Sequence, residues 1–200
     1  MTHLWRFYGF FGDVRVTFGV TVKTRNIALI GLYAALLCIS AWIRVPFGPI
    51  VLTFQVAVVA LIAMTLRPLP AFLSMATYLV LGLAGLPVFA TGGGLGYVLH
   101  PTFGYLIGMV LGAPLGAWYL RSREMNFKNA FIAGIAGIIA SYVCGVGYMW
   151  ALGQFVLGTG TTFAAIMSVA LGILYIKDVV LVALIATIAP KLKNHIASST

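Results

Sequence analysis

A long run of residues without a single charge constrains this chain more than any other feature. No Asp, Glu, Lys or Arg lies between Arg67 and Arg121, and a second such run extends from Asn129 to Ile176. Soluble domains carry roughly 25% charged residues, whereas this chain carries 8% over 200 residues. A water-soluble fold of this size could not hide so much apolar surface, so we predict an all-α integral membrane protein.

The turns inside these runs set the number of helices. As one helix, the stretch from Arg67 to Arg121 would be about 80 Å long, whereas one crossing needs roughly 20 residues. Glycine-rich segments at 91–96 and 158–162 are the natural turns. The sequence therefore predicts six transmembrane helices, at about 27–45, 51–66, 70–90, 101–120, 130–157 and 163–189, the last ended by Pro190.

The two ends of the chain differ in composition from residues 27–193, which we predict to form one membrane domain. Residues 1–26 mix aromatic and basic side chains and lack the apolar core and cleavage site of a signal peptide. We expect this extension to be interfacial or disordered. Residues 194–200 are expected to form a short tail.

The basic residues predict the orientation. With six crossings, both termini and the loops at 67 and 121–128 share one side, and only Arg44 falls on the other. The first side then holds Arg6, Arg15, Lys23, Arg25, Arg67, Arg121, Arg123, Lys128, Lys191 and Lys193. By the positive-inside rule this side is cytoplasmic. The net charge of +9 is thereby explained without a nucleic-acid partner.

Asp178 is the strongest candidate for a binding residue, because it is the only acidic residue in a predicted span. Charged groups at this depth are costly and usually mark a cavity or a partner. Lys177 is its neighbour, but adjacent helical side chains point about 100° apart, so each is expected to find its partner elsewhere. The alternative is a pair that only locks two helices together.

Other polar and small residues are weaker candidates. Gly92, Gly93 and Gly94 suit a close backbone approach to a ligand, unless they form a plain flexible loop. Gln55, beside Thr53, needs a hydrogen bond that either a ligand or another helix could supply. The aromatic candidates, which could equally be packing residues or interface anchors, are Tyr78, Tyr105, Tyr148 and Trp150.

On the first helix, small residues are spaced for close helix packing. They are Gly31, Ala34, Ala35 and Cys38, and they could serve a partner interface or internal packing. His3, His100 and His195 are too scattered to predict a metal site, and no catalytic constellation or ATP-binding motif is present. We therefore expect no metal, no cofactor and no enzymatic activity.

Three stretches carry a resemblance to a known family. They are VPFGPIVLTFQ at 45–55, YLVLGLAGLPVFA at 78–90, and the glycine loop at 92–94 followed by PTFGYLIG at 101–108. Together they resemble the BioY family, the biotin-specific substrate-binding (S) components of energy-coupling factor (ECF) transporters. The resemblance runs from about residue 25 to residue 193.

The chain departs from the family pattern at three positions. His100 and Phe103 stand where the family usually has glycine. Asp178 matches the family's aspartate in the last helix, but Leu181 occupies the position of the lysine that follows it. Lys177 lies four residues before Leu181 and hence on nearly the same helical face, so it could replace that lysine.

The resemblance implies a compact six-helix S-component bundle with a ligand cavity near the extracellular side. It implies high-affinity biotin binding and uptake across the cytoplasmic membrane, together with a coupling transmembrane subunit and a pair of ATPases. Biotin would be held by Asp178 and Lys177 at its polar groups, by Gln55 and the glycine amides, and by Phe89, Tyr148 or Trp150 at its apolar rings. The small residues of the first helix would face the coupling subunit.

Three alternatives remain open at this point. One is an S component for another vitamin. Another is a self-sufficient secondary transporter or channel, against which stand the lack of a visible inverted repeat and the single intramembrane acid. A membrane enzyme is the third, and the missing constellation argues against it.

Overall fold

The computed structural model describes residues 13–16, 20–47, 50–158, 162–169, 172 and 175–198. Within these ranges the chain forms seven α-helices, one short 3-10 helix and two strand pairs. The helices are α1 (Thr24–Trp42), α2 (Gln55–Thr65), α3 (Pro68–Leu83), α4 (Phe103–Leu120), α5 (Phe127–Phe155), α6 (Phe163–Val169) and α7 (Tyr175–Ser198). The 3-10 helix covers Leu95–Leu99.

Both strand pairs are short antiparallel hairpins. In the first, β1 (Asp13–Val16) pairs with β2 (Val20–Lys23). This hairpin lies in the predicted extension 1–26, of which residues 1–12 and 17–19 are outside the described part, as is the end of the predicted tail. In the second, β3 (Arg44–Phe47) pairs with β4 (Ile50–Thr53), so that Arg44 lies opposite Thr53.

Three predicted helix boundaries are wrong. The second helix begins at Gln55, because residues 50–53 pair as a strand. The third ends at Leu83 rather than near 90, and Gly85 beyond it has a φ of 104°, which ordinary helical residues do not adopt. The predicted sixth helix is described as α6 and α7, with residue 172 between them in π-helical conformation, and α7 continues through Pro190 to Ser198.

Three helices are long and apolar enough to cross a membrane among the residues described. They are Thr24–Trp42, Phe103–Leu120 and Phe127–Phe155. The helices Gln55–Thr65 and Pro68–Leu83 are apolar but shorter. Many large apolar side chains on these helices are exposed, including Leu32, Val80, Leu111 and Val143, which is the arrangement that a lipid-facing surface needs.

Helices α4 and α5 pack backbone against backbone. A Cβ atom at Gly112 would lie 2.6 Å from the carbonyl oxygen of Gly137, and one at Gly116 would lie 2.6 Å from that of Ala133. Small residues allow such close approach in membrane helices. This contact fixes α5, which carries part of the candidate site, against α4.

Candidate functional site

A cavity, partly open to the surroundings, lies at one end of the helix bundle. The residues that line it come from β4, α2, the segment between α3 and α4, and the helices α4, α5 and α7. They are Thr53, Gln55, Val56, Ala90, Thr91, Tyr97, Thr102, Tyr105, Leu106, Met109, Ser141, Tyr142, Lys177 and Asp178.

Asp178 is the buried charge of this cavity, with 4% of its surface exposed. Its Oδ2 accepts a hydrogen bond of 2.9 Å from the Tyr142 hydroxyl on α5. Its Oδ1 lies 2.7 Å from the Lys177 ammonium. The carboxylate is therefore held by a donor on one oxygen and by a positive charge near the other.

Lys177 and Asp178 each have a partner elsewhere, as predicted, but the expectation that they would not also pair with each other is wrong. The long lysine stem lets the ammonium fold back to Oδ1 while it also donates a 2.7 Å hydrogen bond to the Thr53 carbonyl oxygen. Asp178 lies in the first turn of α7.

The Tyr105 hydroxyl is a buried cavity group without a hydrogen-bond partner among the described residues. Buried polar groups are rarely left in this state, because an unmet hydrogen bond is costly. Asp178 Oδ1 has the Lys177 ammonium at 2.7 Å, and a carboxylate oxygen can accept a second hydrogen bond. One donor and one acceptor thus remain for a ligand.

Gln55 belongs to a hydrogen-bonded chain that leads away from the cavity. Its Oε1 accepts from the Thr53 hydroxyl at 3.2 Å, and its Nε2 donates to the Tyr78 hydroxyl at 2.8 Å. The Tyr78 hydroxyl in turn donates to the Val88 carbonyl oxygen. These bonds use one of the two Nε2 donors, and the second can serve a ligand.

Five of the eleven predicted substrate-binding residues line the cavity. They are Thr53, Gln55, Tyr105, Lys177 and Asp178. Tyr78 is 1% exposed and lies behind Gln55. Phe89 packs its ring against Tyr78 and Tyr97 without lining the cavity, and Tyr148 donates its hydroxyl to the Val98 carbonyl oxygen.

The three glycines at 92–94 do not line the cavity either. The amide of Gly94 donates to the Gly82 carbonyl oxygen at 2.7 Å, and the amide of Gly92 donates to that of Phe89 at 3.3 Å. These two donors are therefore used inside the protein. Positive φ angles of 132° at Gly92 and 96° at Gly94 show that the loop needs glycine for its own conformation.

Sequence reasoning missed several cavity residues. Tyr142 was overlooked although Ser141 and Tyr142 form a polar pair within an otherwise apolar stretch, a signal that the sequence does contain. Thr91, Tyr97 and Thr102 had no such signal, because threonine and tyrosine are ordinary residues in a loop. Their role depends on how the segment between α3 and α4 folds back over the cavity.

The small residues on α1 divide between two faces. Ala34 is 3% exposed and belongs to the core, and Cys38 packs partly against it. Gly31 and Ala35 are exposed, and a Cβ atom at Gly31 would meet nothing within 4 Å. Ala34 therefore serves internal packing, the alternative left open above, and cannot belong to a docking face, whereas Cys38 is half-buried.

A comparison with protein families finds that residues 14–198 match the model of the BioY family. The chain belongs to the BioY family. This match covers every helix described above, including the α7 residues Lys177 and Asp178.

Similar proteins agree with this assignment. The chain is 40% identical over 134 residues to the biotin transporter BioY of Thermotoga maritima, covering 66% of this chain and 74% of that protein. It is 34% identical to the probable biotin transporter BioY of Pyrococcus horikoshii, covering 87% of this chain and 99% of that protein. A solved structure, the S-component for biotin from an ECF-type ABC transporter, superposes with a TM-score of 0.75 at 20% identity. The superposition covers 85% of this chain and 91% of that one. The fold is thus that of an S component, and the protein is a multi-pass membrane protein.

Proposed function

We propose that this chain binds biotin and serves as the substrate-binding subunit of an ECF-type transporter in the cytoplasmic membrane. The chain itself would supply binding and selectivity and would need no cofactor. A coupling transmembrane subunit and a pair of ATPases would supply the energy for release of biotin inside the cell. Support comes from the family assignment, the cavity and the chemistry of its polar atoms.

The unpartnered Tyr105 hydroxyl and the remaining acceptor capacity of Asp178 carry this proposal. The ureido ring of biotin has two N–H donors and one carbonyl acceptor. A ureido N–H can donate to Asp178 Oδ1, and the Tyr105 hydroxyl can donate to the ureido oxygen and thereby gain a partner. Because hydrogen bonds to charged groups are the stronger ones, the contact with Asp178 is the principal polar contact.

The remaining cavity surface suits the rest of the ligand. Val56, Leu106 and Met109 offer apolar contact for the sulfur-containing ring and the methylene chain. Gln55 has a further donor, and the Lys177 ammonium supplies a positive charge for the carboxylate tail or the ureido oxygen. Lys177 thereby serves in place of the lysine that the family has at the position of Leu181.

The orientation of the bundle would place this cavity near the extracellular side. The cavity residues lie at the starts of α2, α4 and α7, close to the end of α1. Exposed basic residues lie at the opposite helix ends, at Arg67, Arg121, Arg123, Lys128 and Lys191. By the positive-inside rule those ends and both termini are cytoplasmic, and six crossings satisfy this arrangement if α6 and α7 together make the last one.

Calorimetry of the purified chain with biotin is the direct test. We expect one biotin per chain, bound without ATP or partner subunits, and a rise in melting temperature. Absence of both heat and thermal stabilisation, in protein that elutes as a single folded species, would overturn the proposal.

Tyr105→Phe should separate binding from stability. Loss of the hydroxyl should lower biotin affinity about fivefold, the size of one ordinary hydrogen bond, while the unliganded protein should keep its stability, because this hydroxyl has no partner there. Tyr33→Phe is the matched control. Its hydroxyl is 2.6 Å from that of Thr65, away from the cavity residues, so it should lose stability and keep affinity. Unchanged affinity with lowered stability in Tyr105→Phe would contradict the role of this hydroxyl in binding.

A further inference from the structure

His100 closes a ring of hydrogen bonds in the wall of the cavity. Its Nδ1 is 2.8 Å from the Thr102 hydroxyl, and its Nε2 is 3.3 Å from the Thr91 hydroxyl. The Tyr97 hydroxyl is 3.3 Å from each of these two hydroxyls. The imidazole also stacks on the Tyr97 ring, with the centroids 4.9 Å apart. Thr91, Tyr97 and Thr102 line the cavity, whereas His100 lies behind them.

The directions of these bonds fix the protonation of the imidazole. The backbone amide of Thr102 donates to His100 Nδ1 at 3.3 Å, so Nδ1 is an acceptor. The proton of the neutral ring is therefore on Nε2, which donates to Thr91. Thr91 donates to Tyr97, Tyr97 can donate to Thr102, and Thr102 can donate back to Nδ1. Each hydroxyl then donates once and accepts once.

We infer that His100 is a positioning residue whose neutral form holds Thr91, Tyr97 and Thr102 in the cavity wall, and that its protonation loosens this wall and weakens retention of the ligand. The inference rests on the function proposed above. It concerns a residue that replaces the glycine usual in the family at this position.

Protonation weakens the ring for a reason of geometry. A proton on Nδ1 would face the Thr102 amide, which is also a donor. The Thr102 hydroxyl would have to turn round and accept, which leaves one of the three hydroxyl protons without a partner in the ring. Three of the ring contacts are already 3.3 Å long, at the weak end of hydrogen bonding, so the donor–donor contact and the lost partner loosen the ring.

The surroundings of His100 favour the neutral form. Burial lowers the pKa of His100 below its ordinary value near 6.5. Tyr97 is the titratable group that stacks on the imidazole, and Tyr148 lies nearby through its bond to Val98. Across the cavity stand Tyr105 on α4, Tyr142 on α5, and Lys177 and Asp178 on α7. Because the pKa of His100 is lower in the folded than in the unfolded protein, neutral His100 stabilises the folded state fully above about pH 6.5. This stabilisation is lost as the pH falls below that value.

Biotin affinity measured against pH tests the inference. For the wild-type chain we expect affinity to be constant above about pH 6.5 and to fall progressively below that value, by about fivefold when His100 is fully protonated, roughly the effect of one hydrogen bond. His100→Asn should remove this dependence. Its amide oxygen can accept from Thr102 but does not titrate in this range, and Lys177 and Asp178 remain in place.

Each outcome decides the matter. A flat wild-type profile would overturn the inference, and so would an equal fall in His100→Asn, which would assign the titration to another cavity group. Failure to bind biotin at every pH would instead reject the proposed function. If His100→Asn does not fold, nitrogen NMR of a variant with His3→Asn and His195→Asn reports His100 alone. A proton on Nδ1 at pH 7.5 would contradict the inference, because the hydrogen-bonded ring requires the proton of the neutral imidazole on Nε2.

Discussion

Asp178→Asn is expected to lower biotin affinity by at least about tenfold, which corresponds to about 1.4 kcal/mol. The substitution keeps the shape of the side chain but replaces a charged acceptor in a buried site. Whichever way the amide turns, it puts an N–H either toward the ureido N–H of the ligand or toward the Tyr142 hydroxyl, which donates to Oδ2. It also leaves the Lys177 ammonium without its counter-charge.

Glu124→Gln is the matched control for this experiment. It makes the same change of acid to amide at an exposed position in the loop between α4 and α5, at the opposite end of the bundle. It should leave affinity unchanged. If Asp178→Asn behaves like this control, the pair with Lys177 serves only to join α7 to its neighbours.

Lys177 should also contribute to binding. Because it makes two contacts, a single substitution removes both of them at once. Lys177→Met removes both the ion pair with Asp178 and the hydrogen bond to the Thr53 carbonyl oxygen. Part of the loss should therefore return when Leu181→Lys is added to Lys177→Leu, since both positions lie on nearly one face of α7. Affinity that stays low in the double variant would mean that the link to Thr53 is the important contact.

Composition and spacing predicted the coarse architecture well. Charge-free runs and glycine-rich turns located the first five helices to within a few residues, apart from the end of the third, because burial in lipid leaves few alternatives to a helix. One failure lies where tertiary pairing overrides local pattern, since residues 50–53 are apolar enough for a helix but pair with β3.

The site was only partly predictable for a related reason. Asp178 and Gln55 stand out because polar groups are rare in this chain. Tyr105 was one of several equal tyrosines in the sequence, and only its unmet hydroxyl distinguishes it in the structure. The glycine loop was assigned to the ligand, yet two of its amides bond to carbonyl groups of the chain itself. A sequence shows which groups need partners, but only the fold shows which of them already have one.

Ala35→Leu is expected to abolish biotin uptake by cells while leaving biotin binding to the purified chain unchanged. Ala35 and Gly31 are exposed on α1, one turn apart, and a Cβ atom at Gly31 meets nothing in the chain. A leucine at 35 therefore fits this protein alone. It would keep another helix from approaching as closely as small residues allow, and the coupling subunit is the partner that we propose for this face.

Two further variants distinguish docking from general damage. Ala165→Leu makes the same change at an exposed position on α6 and should preserve uptake. Ala34→Leu places the extra volume in the core, where Ala34 is 3% exposed, so it should lower thermal stability and binding together, since overpacking of a core costs about 1–3 kcal/mol. Uptake by Ala35→Leu at the wild-type rate, with equal amounts of protein in the membrane, would show that α1 meets only lipid on this face. Loss of uptake together with retained binding is the combination that only an obstructed partner interface produces.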